Sequence, residues 1–291
     1  MRITPAMITN TVLRDLNHRL TQMNKYQEQL SSGRRLNRPS DDPSALLVAM
    51  RCRMQLDVNA QYKKNVDDAV AWLETTDFAL REVLATLQRV REIAIAGANA
   101  TLPPESMNAL AGEVEQLKDH LGDIANTSHA GRYIFGGTNT LEPPYDGGWN
   151  GNSDIFEYEV SPGVTIPVNV DGVAIFDSPT LPLFGVISDL IDDLQNGDAA
   201  SISGVRLDEI EQNVNNILST LVEVGARTKR LEMGKERMEF LDVGVTNLLS
   251  KVQDADIAEA TIKFRNQEYG YRATLAVAAG ILQPSLVDFL T

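Results

Sequence analysis

Cysteine is nearly missing from this chain: its 291 residues hold one, Cys52. That excludes an internal disulfide framework and any cysteine-built metal cluster. Aromatic residues make up only 6 %, a thin supply of large core fillers for a single compact body. Basic charge is also short, since 26 Lys and Arg against 40 Asp and Glu give a net charge of −14. Most of such a surface repels a polyanion, so no nucleic-acid partner is expected. The longest nearly apolar run, Ala273 to Leu282, is half of what a bilayer span needs, and no membrane partner is expected. The opening Met1-Arg2-Ile3-Thr4-Pro5 lacks an apolar core, so a cleaved secretory signal is not expected.

Catalytic chemistry is equally scarce. His18, His120 and His129 are the only histidines. Read on one helix, the last two lie about 180° apart and cannot share a metal. No Walker phosphate loop, dinucleotide glycine fingerprint or nucleophile elbow occurs. Gly136-Gly137 and Gly147-Gly148-Trp149-Asn150-Gly151 lack a following Lys-Ser/Thr and read as turns. Cys52 sits in an apolar seam, where a small buried hydrophobe is expected rather than a nucleophile. The carboxylates read as a solvated face. No catalytic, cofactor-binding or metal residues are expected, and the chain reads as a non-enzyme.

What is present is periodicity. Apolar residues at alternating steps of three and four keep one stripe facing a partner helix. Leu13, Leu16, Leu20, Met23, Gln27 and Leu30 form one stripe. A second runs Val48, Cys52, Gln55, Asn59, Tyr62, Val66, Ala69, Leu73, Thr76, Leu80, Val83, Leu87, Val90, Ala94 without a slip. Met107, Leu110, Val114, Leu117, Leu121 and Ile124 make a third. The fourth passes from Leu207 and Ile210 through Val214, Ile217, Leu221 and Val224 to Met238, then Leu241, Val245, Leu248 and Val252. Asp42-Pro43 places an N-cap acid before a proline at the first helical position. A helix from there to about Asn99 would run on the order of 85 Å. Pro103-Pro104 stops it and starts an antiparallel return. The expected fold is mainly α, an elongated antiparallel rod or coiled coil of N- and C-terminal segments. Val66, Leu73, Leu80, Leu87, Leu117, Leu121, Ile217 and Leu221 pack its inner seams.

The middle departs from this pattern. Between Arg132 and Arg206 there is no Lys or Arg but eleven acids, whereas Met1 to Arg53 carries nine Lys/Arg against four acids. Asp154 to Val160 alternates, Ser161-Pro162-Gly163 turns, and Val164 to Val170 alternates again. Asp171-Gly172 then signals a hairpin, with Val173 to Phe176 as the next strand. A short helix follows over Phe184 to Leu194. The chain therefore divides into a terminal helical assembly domain (1–42 and 255–291), a rod domain (43–135 and 204–254), and an acidic β-rich insertion (136–203). Its flanking helices would allow that insertion to be removed without unfolding the rod.

Both ends are amphipathic. Leu13, Leu16, Leu20, Met23 and Leu30 face one way at the start; Ile257, Ile262, Leu275, Leu282 and Leu286 do so at the end, with Pro284 kinking or ending the last helix. Isolated helices with one apolar face are marginal in water. Burial against neighbouring copies in an assembly is the economical expectation, with packing on the chain's own rod as the alternative.

At this point the residues carry a resemblance. Leu30-Ser31-Ser32-Gly33-Arg34-Arg35-Leu36-Asn37-Arg38-Pro39-Ser40-Asp41-Asp42-Pro43 resembles the N-terminal signature of the bacterial flagellin superfamily. Its Pro-Ser-Asp-Asp-Pro version is similar to the members that sit at the hook–filament junction. Leu87-Gln88-Arg89-Val90-Arg91-Glu92-Ile93-Ala94 is similar to the superfamily's rod helix. Gln253-Asp254-Ala255-Asp256-Ile257-Ala258-Glu259-Ala260 and Gln283-Pro284-Ser285-Leu286-Val287-Asp288-Phe289-Leu290 resemble the junction members' C-terminus. The resemblance covers about residues 1–136 and 205–291 and leaves the middle unmatched.

The resemblance implies paired terminal helices forming an inner tube, a helical domain outside it, and a solvent-facing variable domain. It implies export unfolded through the flagellar type III apparatus, with an export chaperone, to an extracellular position in the flagellum. Partners would be other copies in a homo-oligomeric ring, the hook-side junction protein, and flagellin. At matching positions, Leu13, Leu16, Leu20, Leu30, Ile262, Leu275, Leu282 and Leu286 would be inter-subunit contacts. The Arg89–Glu92 neighbourhood aligns with a flagellin surface recognised by innate immune receptors, although an exposed helix face explains the same charges. Three readings result: an adaptor joining hook to filament, a short flagellin building the filament itself, or a binding module whose acidic insertion takes a cationic ligand. The last requires carboxylates converging in a cleft.

Overall fold

The computed structural model describes residues 5–99 and 102–282. It is mainly helical, with long helices pairing antiparallel and two small two-stranded sheets. In chain order the elements are α1 (Pro5–Ser32), α2 (Pro43–Gly97), α3 (Pro104–Ala125), β1 (Ser128–His129), β2 (Arg132–Tyr133), β3 (Glu157–Ser161), β4 (Val164–Pro167), α4 (Gly172–Phe176), α5 (Leu183–Asn196), α6 (Ala199–Ser201), a π-helical turn (Ile202–Arg206), α7 (Leu207–Gln253) and α8 (Ile257–Leu282).

Contacts group the chain into two units, residues 1–58 with 241–291 and residues 59–240. The expected boundaries near 42, 135, 203 and 254 differ from this division. Residues 136–203 do not form a unit of their own, because their apolar side chains enter the same buried cluster as α2, α3 and α7.

In the second unit, the stripes read from the sequence become seams. Val66, Leu73, Leu80, Leu87, Leu121 and Ile217 are buried, and Leu117 and Leu221 pack half-buried against them. Burying a leucine fully contributes about 1.5–3 kcal/mol, so this cluster dominates the unit's stability. Ion pairs at the seam edges fix direction. Arg89 reaches Glu113 at 2.6 Å and His120 lies 3.4 Å from Glu82, so α3 runs antiparallel to α2. Asp67–Lys235 at 2.7 Å and Arg91–Glu211 at 3.6 Å give α7 the same antiparallel sense.

Helix starts follow local chemistry. Asp42 Oδ1 accepts the Ala45 N–H at 3.0 Å and the Ser44 hydroxyl at 2.7 Å, capping α2 with Pro43 in its first turn. Pro103 and Pro104 open α3 as expected. Two stripes slip in phase in the first unit. Along α2, Ala45, Leu46, Ala49, Cys52, Arg53 and Leu56 are covered, whereas Val48 and Gln55 are exposed. Along α7, Val245, Leu249 and Val252 are partly covered while Leu241 and Leu248 are exposed. Small residues carry the α2 seam there, and a reading weighted toward large side chains chooses the neighbouring phase.

The middle segment holds less strand than expected. Ser128 pairs with Tyr133 around Ala130–Gly131, both at positive φ (49° and 78°), the mirror-image turn that suits strand twist. β3 and β4 pair around Pro162–Gly163 as predicted, but β4 ends at Pro167. The expected strand Val173–Phe176 is instead α4. Asp171 Oδ1 accepts the Val173 and Ala174 N–H groups at 2.9 and 3.3 Å, so the carboxylate caps a helix where Asp-Gly had read as a hairpin turn. Gly172 is required by packing, since a Cβ there would run into the Phe135 carbonyl oxygen.

α5 packs on α3, burying Leu183, Val186, Ile187, Leu190 and Leu194. Above it, Tyr145 stacks on Phe184 at 4.0 Å and Trp149 on Phe176 at 5.2 Å. Asn126 holds the Tyr145 backbone by two hydrogen bonds, donating at 2.8 Å and accepting at 3.0 Å.

Candidate assembly surfaces

α1 and α8 pair antiparallel in the first unit. Arg19 lies over Gly270, where a Cβ would meet its guanidinium, and Tyr26 lies near Lys263. Their facing stripes keep the coiled-coil spacing: Val12, Leu16, Arg19, Met23, Tyr26 and Leu30 on α1, and Ala260, Phe264, Gln267, Tyr271, Thr274 and Ala278 on α8. Yet this pair is barely sealed. Among the described residues Gln29 alone is buried on α1 and Ala260 alone on α8.

The candidate contact residues separate accordingly. Leu16, Met23 and Leu30 are half-buried in the α1–α8 seam, with Leu20 half-buried beside it. Leu13, Ile257, Ile262 and Leu275 are exposed, Ile262 at 62 %. Met7, Ile8, Tyr269 and Val277 are exposed as well. Leu286 and the expected break at Pro284 lie outside the described residues, as does the side chain of Leu282.

The sequence reading missed a further apolar stripe at the start of α2. Leu47, Met50, Met54 and Val58 recur at helical spacing and all are exposed. The periodicity was visible there, but the neighbouring phase through Val48 and Cys52 absorbed it.

Between α1 and α2 the signature segment builds a knot. Ala255 donates its N–H to Gly33 O at 3.0 Å and Arg35 donates to Gln253 O at 2.7 Å, pairing the α1 exit with the α7–α8 junction. Gln29 Nε2 donates to Arg35 O at 3.1 Å, while Arg53 donates to Gln253 Oε1 at 2.5 Å. Leu36, Ala49 and Cys52 are buried. Gln29 stands outside the motifs read from the sequence, and Gln253 enters them only as the first residue of the Gln253–Ala260 match; a polar residue at the end of an apolar stripe is the signal that marks both.

Asp41 Oδ2 accepts the Arg38 N–H at 3.0 Å, its Oδ1 pairs with Lys25 at 3.0 Å, and Arg38 pairs with Glu28 at 3.1 Å. Burial pushes the Asp41 carboxyl up, but the Lys25 and backbone hydrogen bonds outweigh it and hold the group below the usual carboxylate range. The groove here, about 310 Å³, is lined by these already paired charges.

Several acids of the stretch are engaged within the fold. Arg206 neutralises Asp193 at 2.8 Å, Asp189 at 3.2 Å and, from α7, Glu209 at 2.7 Å. Burial alone would lower the Arg206 pKa, but its hydrogen bonds to Asp193 and Glu209 raise it. Asp171 caps α4 and Asp198 caps α6. Among the described residues no group of three or more His, Cys, Asp or Glu could hold a metal. His129 lies on β1 rather than α3, 2.9 Å from Thr75 and edge-on to Trp72, so it shares no helix with His120. No helix of the described residues is long and apolar enough to cross a membrane.

Residues 3–140 match the model of the bacterial flagellin N-terminal helical region. Flagellar hook-associated protein 3 of Escherichia coli is 27 % identical over 286 residues, covering 88 % of this chain and 89 % of that one. Flagellin of Bacillus subtilis is 25 % identical over 96 % of this chain and 95 % of its own. The crystal structure of Bacillus cereus FlgL shares the fold, with a TM-score of 0.60 and 24 % identity over 70 % of this chain and all of that one. The expected resemblance to the junction members of the flagellin superfamily is borne out by these relatives.

Proposed function

We propose that this chain is a structural subunit of the bacterial flagellum, a hook-associated protein 3 that joins hook to filament by helix packing. One observation carries the reading: two helices of 28 and 26 residues pair with each other and, among the described residues, bury one side chain apiece. Surface of that kind is stable only when further helices cover it. Copies of this chain in a ring, the hook-side junction protein and flagellin would supply them, with Leu13, Leu16, Leu20, Met23, Leu30, Ile257, Ile262, Leu275, Leu282 and Leu286 as contacts. A chaperone would shield the same stripes before export through the flagellar apparatus, which places the mature chain outside the cell. The role is architectural rather than catalytic. Residues 136–203 carry eleven acids, and the exposed ones among them, such as Glu142, Asp154, Glu157 and Asp177, give a like-charged surface that favours solubility.

The test is deletion of the gene followed by electron microscopy of the cells. Bare hooks with flagellin lost to the medium support the adaptor; normal filaments on every hook would sink it. The alignment with a Bacillus subtilis flagellin over nearly its whole length favours a second reading, a short filament-forming flagellin. Purified protein offered to filament seeds separates the two, because only a flagellin should elongate them alone.

A further inference from the structure

The glycine-rich turn at Gly147–Gly151 and the end of α5 each carry an Asn-Gly pair, Asn150-Gly151 and Asn196-Gly197. Such pairs are chemically reactive because glycine lacks the Cβ that screens its nitrogen. That nitrogen can attack the preceding asparagine's side-chain carbonyl carbon.

The fold treats the two pairs differently. Asn196 ends α5, and the Gly197 N–H is engaged by the Asp193 and Leu194 carbonyls, with Gly197 at φ +71°. To react there, the chain would have to break that cap and leave a helical backbone. Asn150 is exposed on a loop. Its own N–H donates to Pro144 O at 2.8 Å, and Asp146 N–H donates to Gly148 O at 3.1 Å, closing the turn just before the pair. Among the described residues, the Gly151 N–H donates to no carbonyl or side chain. The turn therefore fixes the asparagine while leaving the attacking nitrogen unbound.

We infer that Asn150 is a site of spontaneous succinimide formation and conversion to aspartate or isoaspartate in the folded protein, and that Asn196 is not. Gly151 N loses its proton to solvent base and bonds to Asn150 Cγ. The Cγ–Nδ2 bond breaks, and the nitrogen leaves as ammonia after taking a proton from water. One water then opens the ring at either carbonyl. The net change is one amide and one water converted to one carboxylate and one ammonium ion, with no redox step.

The place is consequential. Trp149 stacks on Phe176 immediately before the pair, and a Cβ at Gly151 would lie 2.9 Å from the Trp149 indole nitrogen. Isoaspartate adds a methylene to the main chain within that packing, and either product adds charge to a stretch without bases.

The full-length protein is incubated in mildly alkaline buffer, natively and in denaturant, in heavy-oxygen water, and digested for peptide mass mapping. Label incorporation at residue 150 should exceed that at 196 by about tenfold or more in the native sample, the effect of one retained hydrogen bond. The ratio should collapse toward unity in denaturant. Asn150→Gln, which cannot close the five-membered ring readily, should lose the signal with unchanged helix content. Equal native rates, faster change at 196, or no change at 150 while the denatured chain reacts would overturn the assignment.

Discussion

Consider replacing Ile262 by aspartate. Ile262 lies on α8, off the stripe that faces α1, and is 62 % exposed. Isoleucine and aspartate differ little in helix propensity. The new carboxylate would have Glu259 three residues before it and Arg265 three after, so local charges nearly cancel. The isolated chain should therefore change by no more than about 0.5 kcal/mol. In an assembly that covers Ile262, the same carboxylate would be buried without a partner, costing about 3 kcal/mol or more per contact. That is about two decades or more in affinity. Leu73→Ala is the reverse perturbation: Leu73 is fully buried, and its truncation should cost about 2–5 kcal/mol in the isolated chain. Urea unfolding of the purified chains reads the first quantity, and filament-bearing hooks counted by electron microscopy read the second. The reasoning is refuted if Ile262→Asp destabilises the free chain as much as Leu73→Ala, or if its hooks carry filaments normally.

The remaining expectations concern charge and packing. Asp41 titrates below the usual carboxylate range in the folded chain, so its stabilising contribution is complete above the unfolded carboxylate's pKa and is lost as pH falls through the folded pKa. Asp41→Asn should flatten the acid limb of a stability profile between about pH 5 and pH 2, and an unchanged limb would contradict this. Arg206→Met leaves Asp193 and Glu209 without their shared cation; a loss of about 1–3 kcal/mol in unfolding experiments is expected, less than for a fully buried pair. Deleting residues 138–200 strips α5 from α3 and uncovers that helix. Circular dichroism should show helix loss beyond the deleted residues, whereas a deletion variant with intact melting would restore the independent insertion.

The long helices were readable because a repeat of three and four leaves few alternatives over tens of residues, and Asp42-Pro43 and Pro103-Pro104 punctuate them. The seam shifted in phase near Ala45 and Ala49 because alanines can carry close helix packing while weighing little in a hydrophobic stripe. Asp171-Gly172 failed for a different reason. An aspartate before glycine serves a tight turn and a helix cap equally well, and only the Phe135 carbonyl pressed against Gly172 decides between them. The shared core of residues 136–203 with α3 was also hidden. Leu183, Ile187, Leu190 and Leu194 announce an apolar face but not what it meets. On the terminal helices, the apolar residues could be listed from sequence. Which of them face α8 and which stay open, as Leu16 and Ile262 do, needed the antiparallel register of Arg19 with Gly270.

Amide hydrogen exchange along α1 and α8 gives the most direct measurement, in dilute purified chain and in isolated hook–filament junctions. Helices short of partners in the monomer should exchange close to the unprotected rate while α2 and α7 between residues 59 and 240 stay protected. Both should slow by orders of magnitude once incorporated. Strong protection of α1 and α8 in the dilute chain, or no gain in protection on incorporation, would contradict the claim that these helices are completed by neighbouring subunits.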